Sequence, residues 1–212
     1  MKFFVNFLSA FRIAASFLLI PTMILMSSGD MHTAITWAWV SFILFLLGSI
    51  SDWFDGYLAR KYNVCTKIGG VMDHIGDKLL VVNTMIMLAI SLAHPIIVVP
   101  IIIMIARELY ISGLREFLGT QKIEMPVPKA RFSMGKIKTT FQMISLSLFL
   151  FLLPLASILQ PYFTPENAKQ MLEILSSIQI AAIVTLWMAL VASVWSATQY
   201  TMTFLGHLKK IK

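Results

Sequence analysis

The sequence predicts an all-α integral membrane protein: one domain over residues 1–212, six transmembrane helices and both termini cytoplasmic. Three observations predict it. Of the 212 residues, 58% are hydrophobic and only 13% charged, where a soluble domain carries about 25% charged residues. Six stretches, roughly 4–27, 34–60, 74–93, 95–118, 134–158 and 179–206, are long and apolar, and crossing a bilayer takes about 20 such residues. Of the seventeen Lys and Arg, only Lys169 falls in the odd-numbered turns near 28–33, 94–95 and 159–178. The rest lie on the side that the positive-inside rule assigns to the cytoplasm. That distribution accounts for the net charge of +7 by topology and lipid headgroups, and nucleic acid is not expected as a partner.

The first stretch is too long for a cleaved signal peptide and lacks an A-x-A site, so it reads as a span. The second ends, and the third begins, with acidic residues: Asp52 and Asp55, then Asp73 and Asp77. The fourth, IIVVPIIIMIARELYI, carries Arg107 inside an apolar run, with Arg115 eight residues on. The fifth opens on Lys136 and Lys138. Ahead of the sixth, residues 161–178 read as a short interfacial helix starting near Thr164. Residues 119–133 form a proline-containing loop. The single cysteine, Cys65, excludes an intrachain disulfide and any CxxC metal site. His94 is read as the cap of the turn between the third and fourth helices.

The four aspartates are the informative feature, because ionisable groups in a span are costly and mark function. Asp52 and Asp55 are spaced i,i+3, and Asp73 and Asp77 i,i+4, so each pair shares a helix face. The connection between the two helices is short, which makes them antiparallel neighbours whose carboxylates converge. Four such charges need cations. Oxygen donors suit hard ions, so two Mg²⁺ or Mn²⁺ ions are expected. A cation transporter using the same four carboxylates is the rival reading. Against it stand the position of the acids at the cytoplasmic edge and the lack of an internal repeat. Gly56, directly after Asp55, lets a ligand approach the helix backbone, and Arg60 one turn on can contact phosphate. Close helix packing is the alternative reading for Gly56 and Ala59.

Residues 52–77, DWFDGYLARKYNVCTKIGGVMDHIGD, resemble the signature of the CDP-alcohol phosphotransferase family, D-x2-D-G-x2-A-R-x8-G-x3-D-x3-D. Asp52, Asp55, Gly56, Ala59, Arg60, Gly69, Asp73 and Asp77 match it. The resemblance implies six transmembrane helices, a homodimer, a CDP-linked donor and CMP as leaving group. It implies that Asp52, Asp55, Asp73 and Asp77 hold two metals, that Asp77 is also the base, and that Gly56, Ala59, Arg60 and Gly69 face the CDP moiety. The first helix is similar to the family's N-x-x-T-x-x-R: Asn6 and Arg12 match, and Ser9 keeps a hydroxyl where threonine is usual. Asn6 and Ser9 are therefore expected at the nucleotide. The stretch DHIGDK departs from the more usual D-P-x-A-D-K at His74 and Gly76.

ARELYISGLREF (106–117) and MGKIKTTFQM (134–143) resemble the bacterial phosphatidylglycerophosphate synthases within that family. This implies CDP-diacylglycerol as donor, sn-glycerol 3-phosphate as acceptor, and an inner-membrane enzyme whose site faces the cytoplasm. A second phosphate needs fixed cations. Lys78, Arg107, Arg115, and Lys136 or Lys138 are the candidates. The competing reading is that Arg107–Glu108 and Arg115–Glu116 are ion pairs that merely anchor the fourth helix. Sister enzymes with serine, inositol phosphate or phosphatidylglycerol as acceptor share the aspartate signature.

Overall fold

Six long helices account for nearly all of the chain: α1 (Lys2–Ser28), α2 (Met31–Tyr62), α3 (Lys67–Leu92), α4 (Pro95–Thr120), α5 (Met134–Leu159) and α6 (Ala168–Ile211). One 3-10 turn, Gln160–Tyr162, follows α5. The computed structural model describes the backbone of residues 2–62, 67–120, 134–164 and 167–211, and the side chains of 7–27, 29–51, 54, 70–72, 74–120, 135–164 and 167–206. The 119–133 loop beyond Thr120, and Cys65, lie outside the described residues. All six helices are long and apolar enough to cross a membrane. The chain forms two compact units, Met1–Ala93 with Leu146–Ala182, and His94–Ser145 with Ile183–Lys212.

In the first unit α1 packs along both α2 and α3. The contacts fix the directions. Ser41 donates to Thr22 Oγ1 at 2.9 Å and Arg12 reaches Ser51, so α2 runs antiparallel to α1. Asn83 donates to the Ser16 carbonyl at 3.2 Å and Arg12 reaches Asp77, so α3 runs parallel to α1. The C-terminal end of α2 and the N-terminal ends of α1 and α3 therefore meet at one end of the bundle. Buried Ser9, Arg12, Ala15, Ser16, Leu19, Thr22 and Met23 recur every three or four residues on α1, the repeat of a helix face packed on two neighbours. Small residues dominate this seam because, in lipid, close backbone approach is what helix association gains from. At Gly48 a Cβ would lie 2.8 Å from Leu80 Cδ2, so only glycine admits that leucine without rearrangement. Trp39, Phe42 and Phe151 form an aromatic cluster, with Phe42 and Phe151 centroids 4.9 Å apart.

In the second unit α4 and the C-terminal half of α6 run parallel, joined by contacts that climb both helices together. Trp187 Nε1 donates to the Ile96 carbonyl at 3.0 Å, Tyr110 and Thr201 hydroxyls lie 3.2 Å apart, and the Phe117 and Phe204 rings meet edge to face at 5.8 Å. A groove of about 560 Å³ runs between them, lined by Ile103, Ala106, Arg107, Tyr110 and Val194 among others.

The caps are as local chemistry dictates. His94 sits at the N-cap of α4, its Nδ1 accepting from the Ile96 N–H at 3.3 Å, with Pro95 at the first helical position. Asp30 caps α2, its carbonyl accepting from Ala34 N–H at 2.8 Å and its carboxylate from the Thr33 hydroxyl. That hydroxyl holds the Asp30 carboxyl below its usual range. The sixth helix differs from expectation. Rather than a separate interfacial helix from Thr164, α6 is continuous over 44 residues, about 66 Å at 1.5 Å per residue. No Gly or Pro interrupts it before Gly206, so the polar 168–178 segment continues the same helix.

Candidate active site

The aspartate signature sits where three helix ends meet. Asp52, Asp55, Gly56, Ala59 and Arg60 belong to the last turns of α2, and Gly69, Asp73, Asp77 and Lys78 to the first turns of α3. Both helices are continuous through these residues, so the i,i+3 and i,i+4 face-sharing holds at the level of backbone. The side chains of Asp52, Asp55, Asp73, Gly56, Ala59, Arg60, Gly69 and Asn6 lie outside the described residues. Among the described residues no group of three or more His, Cys, Asp or Glu assembles.

Asp77 is described, and α1 determines its surroundings. Arg12, wholly buried, forms an ion pair with Asp77 Oδ1, and its Nε points at Ser51 Oγ at 3.4 Å, a long contact. Ser51 itself is fixed by donating to the Gly48 carbonyl at 2.8 Å. Next to Asp77, Gly76 faces α1, where an added Cβ would lie 3.4 Å from Ile13 Cγ1 and 3.5 Å from both Arg12 Cδ and the Ser9 carbonyl. Ser9 is buried in this seam. The four signature aspartates would offer a hard cation carboxylate oxygens only; Asp77, the one whose side chain is described, has the Arg12 guanidinium against Oδ1. Sequence reasoning placed Arg12 only as a motif match. That it needs a partner follows from a lone arginine in an apolar run, because a buried charge requires one; which residue that partner is does not.

The basic candidates divide between the units. Lys78 is half-buried on α3 in the first unit. In the second unit Glu108 gathers two cations: Arg107 Nη1 at 3.1 Å and Lys138 Nζ at 2.6 Å, both on Oε2. Arg107 is further held by the Ser193 carbonyl at 3.1 Å and Ser196 Oγ at 3.0 Å. The buried Ser193 hydroxyl has no hydrogen-bond partner among the described residues. Arg115 turns the same way, donating to the Tyr200 hydroxyl at 2.9 Å with its guanidinium carbon 5.1 Å from that ring's centroid. Lys136 is exposed, on the opening turn of α5. Arg107–Glu108 is thus an ion pair, but one that also takes in Lys138 from another helix. Arg115 is directed to Tyr200. Glu108, which the sequence marked only as a possible anchor, is the residue on which two of the predicted cations meet.

Residues 3–205 match the CDP-alcohol phosphatidyltransferase family, nearly the whole chain. The chain belongs to that family. Its membership covers all six helices, including the later part of α5 and α6, where the sequence alone offered only hydrophobic spans. Relatives named CDP-diacylglycerol–glycerol-3-phosphate 3-phosphatidyltransferase include one from Rickettsia bellii, 41% identical over 143 residues, 68% of this chain and 72% of that protein. One from Escherichia coli is 32% identical over 181 residues, 85% of this chain and 87% of that protein. The match to the Rickettsia felis relative is 44% over 106 residues, and there the chain spans about half the relative's length, 55%.

Proposed function

We propose that this family member transfers a phosphatidyl group from CDP-diacylglycerol to sn-glycerol 3-phosphate, forming phosphatidylglycerophosphate and CMP. The observation that carries the reading is the full eight-position signature set on α2 and α3 at the end of the bundle where Arg12 meets Asp77. The acceptor is supported by the names of the bacterial relatives and by the cation cluster of the second unit. The protein works in the inner membrane as a homodimer, its site facing the cytoplasm, where both substrates' charged groups are soluble.

In the reaction the sn-1 hydroxyl oxygen of glycerol 3-phosphate attacks the phosphorus that bears diacylglycerol. The new P–O bond forms as the bond to CMP breaks. Asp77 takes the hydroxyl proton. Asn6, Ser9, Gly56, Ala59, Arg60 and Gly69 bind the CDP moiety, with Arg60 against its phosphates. Arg107, Arg115, and Lys136 or Lys138, all of the second unit, offer positive charge to the acceptor phosphate, and Lys78 of the first unit offers its own next to Asp77. Two Mg²⁺ or Mn²⁺ ions on Asp52, Asp55, Asp73 and Asp77 supply positive charge to the pyrophosphate when bound.

The test is CMP release by detergent-purified protein given CDP-diacylglycerol, Mg²⁺ or Mn²⁺, and a panel of acceptors. Release that depends on glycerol 3-phosphate, with phosphatidylglycerophosphate as product, is expected. Release with a different alcohol would discard the acceptor and its basic residues while keeping the family chemistry. No release from folded protein with any acceptor would return the aspartates to the transporter reading.

A further inference from the structure

The buried arginine of α1 pairs with the last aspartate of the signature and faces the residue just ahead of its first. Arg12 has no exposed surface, although it lies in a helix whose other buried side chains are small or apolar. Its guanidinium pairs with Asp77, the last residue of the signature, and its Nε faces the hydroxyl of Ser51, the residue directly before the first. One side chain therefore bridges α2 and α3 at the level of the two aspartate pairs. Gly76 brings the α3 backbone close to α1 beside it, with Arg12 Cδ 3.5 Å from where a Cβ would stand.

We propose that Arg12 is a positioning residue: it fixes the Asp77 carboxylate and the adjoining α2 turn against each other, so that the two aspartate pairs are held in register from α1. The inference rests on the reading of Asp77 as base and metal ligand. The physical reason is the shape of the group. Guanidinium is a rigid planar fork with donors on three nitrogens, able to serve a carboxylate and a second acceptor at once. An ammonium is a point charge on a flexible stem. It could neutralise Asp77 but could not define the orientation of the carboxylate or reach Ser51 in the same pose. A purely structural charge partner would be replaceable by lysine; a positioning fork would not.

Arg12→Lys in the full chain, purified in detergent, is the test. It keeps the positive charge against Asp77, and kcat is expected to fall about 100-fold, the scale of a small misplacement of a catalytic group, with KM for CDP-diacylglycerol little changed. Ser51→Ala removes the lesser anchor and is expected to give a smaller loss of kcat in the same direction. It also decides the matter if Arg12→Lys fails to fold. Wild-type kcat in the folded variants overturns the proposal. A second readout is independent of turnover: Mn²⁺ affinity by electron paramagnetic resonance, in a double-mutant cycle of Arg12→Lys with Asp77→Asn. If Arg12 acts through Asp77, the lysine substitution shifts Mn²⁺ affinity in the wild-type background and not in the Asp77→Asn background. Equal shifts in both, or no shift in either, overturn it. The cycle stands even if wild-type protein releases no CMP, so failure of the proposed reaction and failure of this inference are distinguishable.

Discussion

Charge is managed in opposite ways in the two units. In the first, a carboxylate is served by one arginine that is wholly buried, and three more aspartates of the same signature stand on the same two helices. In the second, one carboxylate serves two cations, with Arg115 further along the same helix. The first is a one-to-one pairing, on helices that also carry Arg60, Lys61, Lys67 and Lys78 beside the four aspartates; the second sets two positive charges against one negative. Few ionisable groups survive in membrane spans without a partner, and under the proposed reading the aspartates of α2 and α3 take cations while the basic cluster of α4 and α5 takes an anion. A donor pyrophosphate carried on metal and a phosphorylated acceptor are what the proposed reaction supplies.

The largest effect expected is at the acid end. Asp77→Asn keeps the size of the side chain and the contact with α1 but removes the proton acceptor. Turnover should fall by about 100- to 10,000-fold, the range of general-base catalysis, while CDP-diacylglycerol binding by the detergent-purified variant persists. Near-normal CMP release would remove Asp77 from the role of base and weaken the contrast between the units.

At the basic end the first expectation concerns stability. Arg107 and Lys138 are 11% and 9% exposed in their side chains, so Glu108→Gln removes the carboxylate shared by two nearly buried cations. Removing one partner of such a cluster costs about 3 kcal/mol, visible as a lower thermal midpoint in detergent. Glycerol 3-phosphate should then raise the midpoint more in the variant than in the wild type, because an anion now fills the place of the lost carboxylate. Equal stabilisation of both proteins would show that the surplus cations are not an anion site. Arg115→Ala gives a smaller effect. One charge-assisted hydrogen bond is worth about 1.5–3 kcal/mol, so KM for glycerol 3-phosphate should rise at least about tenfold, with little change for CDP-diacylglycerol. A similar rise for both substrates would mean that the contact with Tyr200 supports the fold rather than the acceptor.

What the sequence disclosed and what it withheld differ in kind. Hydropathy located all six helices, and spacing within one helix put each aspartate pair on one face. The ends were misjudged in a consistent direction: α2 runs to Tyr62, α3 starts at Lys67 and α6 at Ala168, each beyond the expected span. Apolarity ends where the hydrocarbon ends, while backbone hydrogen bonding continues into polar sequence as long as no Gly or Pro stops it. Arg12 to Asp77 and Lys138 to Glu108 were not readable, because they depend on how separate helices are rotated about their axes. Arg107 and Arg115 were readable as sharing a face of α4, and both turn to α6, to Ser196 and Tyr200; which residues would meet them was not.

The smallest effect expected lies in the seam where Arg12 meets Asp77, and it tests how tightly α1 and α3 are fitted there. Gly76 departs from the alanine more usual at its position in the family, which suggests either a needed close approach or a neutral change. The distances decide. A Cβ would stand 3.4 Å from Ile13 Cγ1 and 3.5 Å from Arg12 Cδ and the Ser9 carbonyl, ordinary van der Waals separations. Gly48, where a Cβ would come within 2.8 Å of Leu80, is the contrasting case. Gly76→Ala should therefore leave CMP release unchanged and hold or raise the thermal midpoint, since alanine is up to about 1 kcal/mol better than glycine inside a helix. A fall in turnover with the midpoint unchanged would have a different meaning. It would say that Arg12 needs freedom at this seam, and that the hold of α1 on Asp77 loosens and tightens during the reaction rather than staying fixed.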